Sequence, residues 1–185
     1  MTIILWALIA IIGGLAVISI GARRVLRRPP ALELPPGESL PATVLQVMAR
    51  RYLLAGLVPI MAAAAIVLRV GADTFYQDDA TRLTVTLLMI GALVVLASFA
   101  FRARAIAGRP GGPLDERDVA ILDRAPTLEG GAMLVTLVIW VIGLQETFHS
   151  AGAVPLVWLY LVMWSMLLLK ALVLPVGVLI GYRRS

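Results

Sequence analysis

The chain contains no cysteine, which excludes disulfides, thiolate metal sites and cysteine nucleophiles. It has one histidine, His149, so no site can draw two imidazoles from a single chain. Lysine is almost absent: of 16 basic residues only Lys170 is not arginine. Charged residues make up 15% of the sequence, against about 25% in soluble domains. No segment has the form of a phosphate-cradling loop, because Gly108–Gly112 lacks both the Lys-Ser/Thr sequel and a preceding strand. No serine–histidine–acid constellation is in reach. These absences leave little for catalysis, and no cofactor is expected.

Apolar residues fill the space instead. They form 61% of the 185 residues, and mean hydropathy is +0.96. They gather in five runs almost free of charge: Ile3–Ile20, Tyr52–Val70, Leu83–Phe101, Gly131–Leu144 and Pro155–Tyr182. A bilayer core takes about 20 apolar residues per helix, and a backbone in hydrocarbon must satisfy its own N–H and C=O groups. The expectation is an all-α integral membrane protein: one domain of five transmembrane helices, with spans of about 3–22, 52–70, 83–101, 128–148 and 155–182. The fourth run is short, so turns through Thr127–Gly130 and Gln145–Phe148 are needed to complete it.

Charge sets the orientation. A pI of 10.4 and a net charge of +5 could suggest nucleic acid, but the bases flank the apolar runs, as topology signals do. The links after runs one and three and the C-terminal tail carry the arginines, whereas the link Gly71–Arg82 holds Asp73, Asp78 and Asp79. By the positive-inside rule the N-terminus is outside and the C-terminus cytoplasmic, in a bacterial inner membrane. The first run is expected to be retained, because its arginines follow the apolar stretch where a signal peptide would place them before it.

Shorter patterns fill in the links. Two Pro-Pro pairs, at 29–30 and 35–36, disfavour helix. Ser39 is then a candidate N-cap, and the segment from Ala42 to Tyr52 reads either as an interfacial helix or as an extension of span two. Leu114–Ala125 reads as a short amphipathic helix, with Asp115 and Glu116 at its positive end and Pro126 closing it. Asp115-Glu-Arg-Asp118, the apolar Ile121 and a span starting at Gly131 resemble a family of small uncharacterised prokaryotic integral membrane proteins. There an acidic-basic motif precedes a pair of spans. The resemblance covers about 35 residues and implies a membrane bundle, with no activity attached.

Candidate residues are few. Ala10, Gly14 and Gly21 share a face of span one, and Gly177 and Gly181 one of span five; small residues of this kind let helices approach closely. Trp158, Tyr160 and Trp164 read as an outer aromatic belt. Lys170 falls near the midplane, where a lysine costs about 2.5–3.5 kcal/mol to insert. No Asp or Glu lies within the apolar runs to pair with it. Its expected partner is therefore a backbone carbonyl, water, a lipid phosphate or another chain, unless it simply snorkels. Glu146-x-x-His149 has di-iron spacing, but a single copy at the membrane surface does not make a metal site.

The reading that follows is a non-catalytic accessory subunit. It would pack against other transmembrane subunits and membrane lipids, in a photosynthetic or respiratory complex, for example. The alternative is a small transporter or a lipid- or pigment-binding protein that uses Lys170.

Overall fold

The computed structural model describes residues 43–108 and 114–182, and these are mostly helical, without strands. The first predicted span, with Ala10, Gly14 and Gly21, and the Ser39 cap lie outside the described residues. The helices are α1 (Val44–Val70), α2 (Ala72–Gln77), α3 (Asp79–Ala107), α4 (Glu116–Arg124), α5 (Glu129–Phe148) and α6 (Leu156–Tyr182), with a 3₁₀ turn, Ala125–Leu128, between α4 and α5. Among the described residues, four helical runs are long and apolar enough to cross a membrane: α1, α3, α4–turn–α5 and α6.

Local chemistry explains the boundaries. α1 is one continuous helix from Val44, so the segment before Tyr52 extends span two and is not a separate interfacial helix. Thr43 caps it by accepting the Gln46 N–H at 3.3 Å. Gly71, at φ +90°, ends α1 and starts α2, a conformation that a side chain would strain. Asp78 caps α3 through the Thr81 N–H at 3.0 Å, and Asp115 caps α4 through the Asp118 N–H at 2.7 Å. α5 starts at Glu129 and ends at Phe148, and so gains the extra turns that the short fourth run required. Pro59 and Pro175 are both accommodated without ending their helices.

α6 is the centre of the bundle. In its most apolar stretch 44% of residues are buried, against 11% in α1, and it touches every other described element. In lipid, burial of apolar area gives no net drive, so close backbone approach and interhelical hydrogen bonds hold helices together. Both are present. Gly56 of α1 lies directly against Leu96 of α3. The Trp140 indole N–H of α5 donates to Ser165 Oγ of α6 at 3.0 Å. Thr86 of α3 and Tyr160 of α6 share a hydrogen bond at 2.7 Å.

Two ends differ in character. At one, Phe75 of α2 is fully buried and its ring contacts Tyr76 and Tyr160, and Trp158 packs on Phe148. Trp158 and Trp164 are 6% and 7% exposed. At the end where the aromatic belt is expected, these rings also pack within the bundle, Trp158 on Phe148 of α5 and Trp164 beside Tyr160. At the other end lie Arg50, Arg51, Arg102, Arg104, Arg117 and Arg124, all carried by the terminal turns that meet the end of α6.

Candidate functional site

Lys170 sits near the middle of the 27-residue α6. Its Nζ lies 3.5 Å from Glu129 Oε1, and its side chain is 61% exposed. The chain thus supplies a carboxylate partner of its own, which the apolar runs do not contain. Glu129 lies outside the apolar run Gly131–Leu144, although the expected span 128–148 contains it. The signal was available: the fourth span has to start near residue 128 to be long enough, which brings Glu129 into its first turn.

The geometry shows how the two meet. The Trp140–Ser165 bond fixes the antiparallel register of α5 and α6. In that register Lys170 is level with Val135, and Glu129 lies about six residues, roughly 9 Å, nearer the arginine-bearing end. Lys170 therefore reaches along the bundle toward that end and meets the carboxylate on the way. At 3.5 Å the pair is an ion contact, longer than the roughly 2.7–2.9 Å of a charge-assisted hydrogen bond. The ammonium's three N–H groups retain capacity for a further acceptor.

Both groups line a crevice of about 260 Å³ between α3 and α6, closed at its base by Pro126 of the 3₁₀ turn. Leu93, Leu96, Ala97 and Ala100 form the α3 wall, and Leu167, Ala171 and Leu174 the α6 wall. Arg104 stands at the arginine-bearing end. The mouth faces the outside of the bundle, since Phe101 is 75% exposed and Leu167 partly so. The polar side chains lining it are thus two cations and one carboxylate, among apolar walls.

α4 is held against the last turns of α6. A methyl group placed on Gly177 would fall 2.9 Å from Ala125 Cβ, and one on Gly181 would fall 2.7 Å from Ile121 Cγ2. These two glycines are therefore a packing pair, and their partner is the amphipathic α4 with its following turn. Asp118, buried at 2% exposure, accepts a hydrogen bond from the Tyr182 hydroxyl, and Arg117 lies over the Tyr182 ring at 5.6 Å. The Asp115–Asp118 segment thus has two structural tasks, capping α4 and pinning it to the end of α6.

Other candidates stay apart. Glu146 and His149 are exposed at and just beyond the end of α5, and among the described residues no three His, Asp or Glu side chains converge. At the opposite end, hydrogen bonds from the Thr81 hydroxyl and then its N–H hold the Asp78 carboxyl below its ordinary range. Comparison with protein-family models, with curated proteins and with solved structures finds no match.

Proposed function

We propose that the protein is a non-catalytic integral membrane protein that holds an amphiphilic molecule in the Lys170 crevice. In this reading it crosses a bacterial inner membrane five times, with the N-terminus outside and the arginine-bearing ends in the cytoplasm. The observation that carries it is the convergence of Lys170, Glu129 and Arg104 on an apolar cleft open to the side. Intramembrane charge is expensive, and placing it on a ligand path is its best-attested use. A cleft with apolar walls and a few converging polar groups is the general form of a small-molecule site.

The test is purification of the full chain in mild detergent followed by native mass spectrometry. Wild type should carry a small molecule that Lys170→Met, which keeps the stem and removes the charge, largely loses. A wild type that carries nothing, or a variant that keeps the molecule unchanged, overturns the proposal. Topology is checked separately in this cysteine-free chain. Ser150→Cys should react with an impermeant maleimide from outside, and Gly108→Cys only after the membrane is opened.

An accessory role in a larger complex is the second reading. The observation favouring it is the face of α1, where Ala55, Ala62 and Ala65 are exposed. Such residues permit close approach by a further helix. Stoichiometric co-purifying subunits would support this reading, and a lone chain carrying a small molecule would oppose it.

A further inference from the structure

We infer that the crevice takes a phospholipid with a net anionic headgroup, drawn from the leaflet on the arginine-bearing side, with its phosphate between Arg104 and Lys170. The inference rests on the amphiphile-binding reading and specifies the ligand. Three observations carry it.

The first is charge. Arg104 and Lys170 bring two positive charges to the crevice and Glu129 brings one negative. Among the described residues the surplus is one positive charge, in surroundings where unneutralised charge is costly. A phosphodiester closes that balance. A zwitterionic headgroup carries its own cation and leaves the surplus standing.

The second is depth. The α3 wall runs from Leu93 to Arg104, roughly 16 Å of helix, which is about half of a 30 Å hydrocarbon core. A site of that height serves one leaflet. Its charged end is the one that carries Arg50, Arg51, Arg102 and Arg104. Taking the Thr86–Tyr160 bond as the register of α3 against α6, Arg104 lies about 12 Å beyond Lys170 along the axis. Lys170 already reaches toward that end to meet Glu129, and a phosphate can occupy the gap that is left.

The third is size. At about 260 Å³ the crevice is just below the usual range of roughly 300–1,000 Å³ for sites that enclose a ligand. It suits the headgroup region and the first part of one acyl chain. The rest of the lipid leaves past the exposed Leu167, on the side of Lys170 away from Arg104, in the bilayer where it originates.

The experiment reconstitutes the full chain in nanodiscs of phosphatidylcholine containing a minor fraction of phosphatidylglycerol. Retained lipid is then read by native mass spectrometry after gentle extraction. Wild type should be enriched in phosphatidylglycerol, and Arg104→Gln and Lys170→Met should each reduce the enrichment by about tenfold, as expected for loss of one charge-assisted contact. Glu129→Gln should raise it, because it removes the competing anion, an effect that a merely structural carboxylate would not have. Inorganic phosphate at matched ionic strength should leave the lipid in place; displacement would overturn a lipid as the source of the phosphate. Equal retention of phosphatidylcholine, still lost in Lys170→Met, would overturn the anionic class and leave the amphiphile reading standing. Retention of neither lipid at the crevice, or retention insensitive to all three substitutions, would overturn both.

Discussion

The contact between α6 and the α4–α5 junction can be tested by adding one methyl group. A Cβ at Gly177 would lie 2.9 Å from Ala125 Cβ and 3.3 Å from its Cα. Ala125 is fully buried and has no side chain that could rotate away, so the turn itself must retreat from α6. Overpacking of this kind costs about 1–3 kcal/mol. Replacing a helical glycine returns about 0.5–1 kcal/mol by reducing backbone entropy. The net expectation for Gly177→Ala is a loss of about 1 kcal/mol, and up to about 2.5 kcal/mol if the turn cannot retreat. Gly91 in α3 is the control, since a Cβ there meets nothing within 4 Å. Gly91→Ala should keep the entropic gain and stabilise by about 0.5–1 kcal/mol. The two substitutions are chemically identical, yet they should move stability in opposite directions. The assay is reversible unfolding in mixed micelles titrated with a denaturing detergent, followed by helix content. Ala125→Gly in the Gly177→Ala background should recover part of the loss, with a coupling of about 1 kcal/mol. If Gly177→Ala stabilises as much as Gly91→Ala, α6 and the turn are not in contact and the packing described above is wrong.

Three further outcomes use the same unfolding measurement. Trp140→Phe removes the donor to Ser165 and should cost about 0.6 kcal/mol, the average for such a bond in a membrane protein, with Ser165→Ala adding little on top of it. Asp118→Ala leaves the Tyr182 hydroxyl without its acceptor and should cost about 1–3 kcal/mol, while Asp118→Asn keeps an acceptor and should cost less. Lowering the pH should destabilise the Asp78 end of α3. Its carboxyl is held below the ordinary range when folded, so its contribution is complete above that range and lost as pH falls through the folded value; Asp78→Ala should remove that part of the acid dependence.

How much of this was legible depends on whether the information is local. The apolar runs located α3, α5 and α6 because lipid exposure makes composition itself the signal. The acidic Asp115 and Glu116 and the stop near Pro126 located α4 for the same local reason. Gly177 and Gly181 were recognisable as a packing pair from their spacing, but their partner was not. The fold supplies Ala125 and Ile121, over 50 residues away in sequence. Trp158 and Trp164 were legible as aromatics near a span end, but the packing of Trp158 on Phe148 of α5 comes from the fold. Glu129 was missed for a different reason. It lies within the expected span 128–148 but outside the apolar run Gly131–Leu144, and only the folded register of α5 against α6 brings it to Lys170.

The 3₁₀ turn has a mechanical consequence. Ala125, wedged on Gly177, and Glu129, facing Lys170, are joined by only one tight turn of backbone. The position of the carboxylate is therefore indexed to how α4 is seated. A pull on α4 that lifted Ala125 off Gly177 would carry Glu129 with it and alter the charge beside the ammonium, so the charge balance of the crevice is tied to the seat of α4 on α6.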